Sequence, residues 1–566
     1  NKGEKMNNKK STMILIPVIG IIVFIVVFLG ISLTKNAGKS AKTVNVEEAT
    51  ATIQKYVKKI APGTAEERKS AVELVNNEID ELPEIDKNEV TVEPKTTLYA
   101  EIFATSEKCG KGKDGWINDV AEKFNKAGYE VNGKPVSVMI RSVASGLGMD
   151  YIRTEKYVPD GYSPSNDFWS QMLIADGIQM ETISERLVDN TAGILLSKET
   201  QKNLVDKYGV INLKTIVEAT AAGEFSMGYT NPYASATGLN FLISTLQTYN
   251  PANPLSEDAI AGFQDFQANV PFVAYTTLQM RDAAETGTLD GFVMEYQTYI
   301  NDSDLTRKYE FTPFGFSHTN PLYTIKSVDE EKKEILKLFA DFAQTEECQR
   351  LAKEYGFNAD LGYTVEQSEV DGAVLLSAQE LWKKEKDNGK PIIAVFVADI
   401  SGSMDGEPLN SLKTSLINGM KYIKTENYIG LVSYSDDVTI EVPIKKFDLN
   451  QQSSFKGAVE SLSAGGGTAT FDGIAVAADM LITAKESYPD GKVMMFVLSD
   501  GETNRGYSLK EISGPIDALN IPIYTIGYNA NIPALQSISE INEAASINAD
   551  SDDVIYKLKN LFNSNL

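Results

Sequence analysis

The most uniform stretch of the chain is apolar. No charged residue occurs from Ser11 to Thr34, and Met13 to Leu33 is almost wholly aliphatic. A run of 21 such residues is long enough to cross a hydrocarbon core of about 30 Å. The pattern predicts a transmembrane helix over 13–33 behind a short flank at 1–12. A cleaved signal peptide has a shorter apolar core followed by a small-residue site, which Asn36-Ala37-Gly38-Lys39 does not supply. Beyond it, apolar stripes at Ile53, Tyr56, Val57 and Ile60, then at Ala71, Val72, Leu74, Val75 and Ile79, are split by Pro62-Gly63. They predict a helical stalk and linker over 34–94.

From Thr97 the period alternates. Leu98–Ala104 and Val136–Val143 read as strands, and Gly115–Ala127 and Lys332–Tyr355 as helices. Such alternation predicts an α/β architecture, with one domain over 95–367, a linker helix and turn over 368–390, and a second α/β domain over 391–566. In the second, Ile392–Ala398 is a continuous apolar, β-branched run, as a central parallel strand is. It runs directly into Asp399-Ile400-Ser401-Gly402-Ser403. Ala464-Gly465-Gly466-Gly467-Thr468 puts another hydroxyl on a glycine-rich loop, and the apolar run Val493–Leu498 ends in Ser499-Asp500-Gly501. Loops beyond the carboxyl ends of parallel strands form the ligand crevice of open α/β sheets. Hard oxygen donors of this kind suit Mg²⁺, Mn²⁺ or Ca²⁺.

Composition narrows the choices. With 53 Lys and Arg against 78 Asp and Glu, the net charge is -25. Counterion-driven nucleic-acid binding needs clustered cations, so nucleic acid is excluded as a partner. Two cysteines, Cys109 and Cys348, exclude a disulfide-dense scaffold and leave paired and free thiols both open. The single histidine, His318, sits in the turn-like Ser317-His318-Thr319-Asn320-Pro321 and leaves a hydrolase only one imidazole base.

The series Asp399, Ser401, Ser403, Thr468 and Asp500 resembles the metal-ion-dependent adhesion site of the von Willebrand factor A domain, and the resemblance covers about 391–566. It implies a doubly wound, Rossmann-like sheet holding Mg²⁺ (or Mn²⁺ or Ca²⁺). It further implies that an Asp or Glu of a protein partner completes the metal's coordination. Residues 97–365 resemble a two-lobed type 2 periplasmic-binding-protein domain. The resemblance lies in Tyr229–Leu239, Ser142–Gly146, Leu187–Leu196 and the helices from Glu331 to Gly356.

In the first domain, Ser235, Ala236 and Thr237 would open a helix whose N-terminus attracts an anion or carboxylate; capping alone is the other reading. Ser106, Ser145 and Gly146 would face them from the opposite lobe, and Glu295 and Tyr296 would lie near the return hinge. The whole then reads as a single-pass protein of the cell membrane, N-terminus cytoplasmic and folded domains extracytoplasmic. Its expected role is non-enzymatic recognition of a protein partner, with a small-molecule or anionic ligand in the cleft. A solute receptor for a transport system and a hydrolase working from the cleft are the alternatives.

Overall fold

A computed structural model describes residues 45–72, 82–225, 227–270, 272–274, 280, 290–365, 367–386, 390–501, 503–519, 521–528 and 543–549. The expected membrane span at 13–33 and the second stalk stripe beyond Val72 lie outside the described residues. Among the described residues no helix is long and apolar enough to cross a membrane.

The first domain has two lobes. The sheet of the first lobe runs Val90–Val92, Lys134–Ser142, Leu98–Ala104, Gly161–Ser163, Leu322–Ile325 and Met180–Ser184, with Glu130–Val131 paired beside Lys134–Ser142. Helix Trp116–Ala127 buries Trp116, Ile117, Val120, Ala121 and Phe124, one face at helical spacing. It stops at Gly128, whose φ of 75° is the left-handed turn that glycine adopts without strain. The sheet of the second lobe runs Phe272–Ala274, Met227–Thr230, Gly291–Glu295, Asn190–Ser197 and Tyr309–His318. The chain crosses between lobes at 185–189 and returns at 319–321. The return is therefore not at Glu295 and Tyr296, which lie at the end of an inner strand of the second lobe and the start of the next helix, Tyr296–Ile300.

Helix Gly372–Glu385, expected as a linker, packs across both lobes. It lies on Phe168–Ala175 of the first lobe and on Ala236–Tyr249 and Glu257–Gln267 of the second. Leu375, Ala378 and Trp382 are its buried stripe. The Trp382 indole N–H donates to the Tyr229 hydroxyl at 2.6 Å and Gln379 donates to the Pro232 carbonyl at 2.8 Å.

The second domain is built on a seven-stranded sheet ordered Gly63–Thr64, Val438–Lys446, Tyr428–Tyr434, Ile392–Asp399, Lys492–Ser499, Ile523–Tyr528 and Glu543–Ala549. Ile392–Asp399 is buried along its whole length and pairs in parallel on both sides, as its unbroken apolar run requires. Leu412, Leu416, Phe455 and Val459 join the core on one face of the sheet; Ile474, Ala478, Leu481, Ile512 and Ile516 join the core on the other.

The stalk expectation is corrected here. Helix Val46–Ile60 forms where the first stripe predicts it, capped by Asn45, with Glu47 and Glu48 in its first turn and Lys58 and Lys59 in its last. It does not stand free. Ala49 and Ile53 are fully buried against helices Thr470–Ser487 and Leu509–Leu519 of the second domain. Gly63–Thr64 then adds an edge strand parallel to Val438–Lys446. Ser70 and Ser453 exchange hydrogen bonds of 3.1 and 2.8 Å. The second domain thus contains residues from both sides of the two-lobed domain, which is inserted within it.

Candidate functional site

Asp399 ends its strand with the carboxyl group fully buried. One carboxylate oxygen accepts the Ser401 backbone N–H at 2.8 Å. The other accepts the Ser499 hydroxyl at 2.6 Å and the Tyr434 hydroxyl at 3.2 Å. Burial pushes this carboxyl above the usual range; the bonds from Ser401 and Ser499 oppose that, and the nearby charge of Asp500 adds to it. The Ser401 and Ser403 hydroxyls lie 3.1 Å apart. The glycine-rich loop is tied to them by two backbone bonds, Gly402 N–H to the Gly466 carbonyl at 3.0 Å and Gly465 N–H to the Ile400 carbonyl at 2.8 Å. Gly466 has φ +82°, and a Cβ there would meet the Asp436 carboxylate at 2.7 Å. That constraint explains the glycine.

Thr468 is buried on this loop and held by its backbone N–H to Asn504 at 2.9 Å. Asp500 follows Ser499 directly. The fold therefore gathers all five residues singled out in the sequence at one carboxyl edge. It also adds Tyr434 and Ser499, which orient Asp399, and the Asp436–Arg505 ion pair of 2.8 Å beside the loop. Tyr434 comes from a neighbouring strand, a relation no spacing in the sequence discloses. Among the described residues no three His, Cys, Asp or Glu side chains gather as a metal cluster. The donors here are hydroxyls plus carboxylates, a set that fits a hard divalent cation.

The cleft of the first domain has a different chemistry from the one expected. Ser106, Ser145, Ser235 and Glu295 line one pocket together with Thr105, Glu107 and Ser165. The space is small, with room for about one or two waters. At Gly146 the backbones of the two lobes come close: its N–H meets the Ala234 carbonyl at 3.3 Å, and a Cβ would lie 2.0 Å from the Tyr233 carbonyl oxygen. Ser235 caps its helix by accepting the Gly238 N–H at 3.3 Å. Thr237 donates to the Glu295 carboxylate at 3.0 Å. The positive end of this helix thus already faces a carboxylate of the protein itself. Tyr296 is not on the wall; its ring packs edge-on to Phe311.

His318 is not in a turn. It ends strand Tyr309–His318 and is fully buried. Its Nδ1 meets Glu295 at 2.7 Å and its Nε2 meets the Asn240 amide nitrogen at 3.0 Å. Asn240 is oriented by its bonds to the backbone of Phe316, so Nε2 accepts and Nδ1 carries the proton. Both ring nitrogens are engaged. Burial would raise Glu295, but His318, Thr237 and Lys108 outweigh it and its carboxyl is held low. Burial, and then the charge of Glu295, push Glu107 up to about 7. Burial pulls Lys108 down to about 8; its ammonium donates to the Pro164 carbonyl at 3.1 Å and to Asn320 at 3.0 Å. Glu107 and Lys108 carried no signal in the sequence, because their partners lie far along the chain. Cys109 and Cys348 are two free, buried thiols.

Comparison with known proteins agrees with this division. Residues 109–358 match the family model described as bacterial extracellular solute-binding protein. Residues 394–563 match the von Willebrand factor type A domain. An uncharacterized protein of Synechocystis sp. is 27% identical over 149 residues, 26% of this chain and 33% of that protein. Inter-alpha-trypsin inhibitor heavy chain H3 of Pongo abelii is 30% identical over 181 residues, 29% of this chain and 20% of that one. The chain thus spans a third or less of the length of these relatives. Among solved structures, a periplasmic thiamin binding protein aligns with a TM-score of 0.39 at 11% identity, over 52% of this chain and 98% of its own. The chain carries a solute-binding-protein domain followed by a von Willebrand factor type A domain.

Proposed function

We propose that this is a membrane-anchored, extracytoplasmic binding protein whose type A domain recognises a protein partner through a divalent cation, Mg²⁺ first and Mn²⁺ or Ca²⁺ as substitutes. The two-lobed domain holds a small ligand that tunes this recognition, and neither domain is an enzyme. One observation carries the metal reading: the paired hydroxyls of Ser401 and Ser403 beside a buried carboxylate pinned by Ser401, Ser499 and Tyr434. Ser401, Ser403 and Thr468 would hold the ion through hydroxyls, while Asp399 and Asp500 would supply negative charge, directly or through water. The ion would supply a Lewis-acid position for a carboxylate of the partner.

Burying the Asp399 carboxylate away from a counter-charge is costly even with its hydrogen bonds, and a bound cation offsets that cost. Titrating Mg²⁺ and Mn²⁺ into the full chain, wild type against Asp399→Ala, tests the reading. Metal affinity should collapse in the variant while circular dichroism stays unchanged. Equal affinity in both proteins refutes the site. A partner that stays bound under chelation refutes the metal bridge.

A further inference from the structure

The geometry points to a small protonated amine, and not an oxyanion or a carboxylate, as the ligand of the interlobe pocket. This rests on the reading that the cleft is a small-ligand site, and it names the class of ligand. The pocket wall carries two carboxylates, Glu107 and Glu295, amid the hydroxyls of Thr105, Ser106, Ser145, Ser165 and Ser235. No Arg or Lys side chain is on that wall. The nearest cation, Lys108, is turned to Pro164 and Asn320. The helix end at Ser235–Thr237, the natural anion seat, is already occupied by Glu295.

Charge decides between ligand classes. Two carboxylates against one ammonium leave one negative charge uncompensated in a site that solvent scarcely enters. Burial raises Glu107 and the charge of Glu295 adds to this; burial lowers Lys108, and the two carboxylates only partly oppose it. One further positive charge neutralises the site; a monovalent anion would double the excess and sulfate would treble it. The hydroxyl and carboxylate oxygens are also the acceptors that three N–H donors need, and an ammonium head is close to water in size.

The test is calorimetric titration of the full chain with methylammonium chloride, sodium sulfate, sodium acetate and calcium chloride, each at matched ionic strength. Methylammonium should bind, and Glu107→Gln should weaken it at least tenfold. Glu107 is half-buried, and a melting curve checks that this variant keeps its fold. Glu295→Gln is the second variant and should weaken methylammonium further. Sulfate or acetate binding, strengthened by Glu107→Gln, would overturn the amine class while keeping the cleft as a ligand site. Calcium heat lost in Glu107→Gln, without methylammonium heat, would overturn it in favour of a metal. No heat from any probe, with or without the substitutions, would overturn both the class and the cleft reading.

Discussion

The helix Val46–Ile60 gives the sharpest test of how the chain is assembled. Ile53 lies on its inner face, fully buried in the core that contains Ile474, Leu481, Ile512 and Ile516. Ile53→Ala removes three carbons from that core. At about 0.8 kcal/mol per buried carbon the transfer loss alone is about 2.4 kcal/mol. The residual cavity brings the expected loss into the range of about 2–5 kcal/mol. For a domain of roughly 200 residues each kcal/mol lowers the melting temperature by about 2–4 °C, so the shift should be about 5–20 °C. Val46 is 58% exposed on the same helix, and Val46→Ala is the control, expected within about 0.5 kcal/mol of wild type. Differential scanning calorimetry of the full chain resolves the transitions. Hydrogen exchange of strands Ile392–Asp399 and Lys492–Ser499 assigns the one belonging to the type A domain. Were Ile53→Ala indistinguishable from Val46→Ala in these strands, the helix would be docked without supporting the fold, and the inserted arrangement would lose its energetic basis. A fragment of residues 391–566 should likewise be less stable than the same fragment supplied with residues 45–72.

Two further outcomes follow from the cleft. Gly146→Ala places a methyl where the Tyr233 carbonyl stands 2.0 Å away, so the lobes must part; faster hydrogen exchange at Ala144–Gly148 and Tyr233–Ala236 checks this, and unchanged exchange refutes the contact. Glu107 has its carboxyl raised from 4.5 to about 7, so between those values the folded state holds a proton that the unfolded state has released. Stability of the first domain should therefore be full below about pH 4.5 and fall as pH rises towards 7. Glu107→Gln should flatten that slope in thermal melts, and an unaltered slope would refute the assignment.

Much of this protein was legible in one dimension. Ile392–Ala398 is apolar at every position, which only a strand covered on both faces accommodates, and its Asp-x-Ser-x-Ser continuation places donors at a strand end by covalent adjacency alone. The glycine-rich loop and the second strand ending in Asp500 could be read for the same reason. Local rules failed wherever the deciding partner was distant. The stripe of Ile53, Tyr56, Val57 and Ile60 shows that the helix has an apolar face, yet not which surface covers it; that surface is formed by residues some 420 positions later. Gly372–Glu385 reads as a connecting helix, and only packing makes it a strap across two lobes. His318 and Glu295 are 23 residues apart on two different strands, and Glu107 reaches the same pocket from the other lobe. Periodicity reports which side of an element avoids water; it carries no record of the charges that folding brings opposite it. The sequence by itself determined the strands, the helices and the hydroxyl- and carboxylate-bearing loops, because each depends on neighbours in the chain. The domain boundaries and the sign of charge in the cleft were decided by the tertiary structure, because each depends on contacts between residues that only folding makes neighbours.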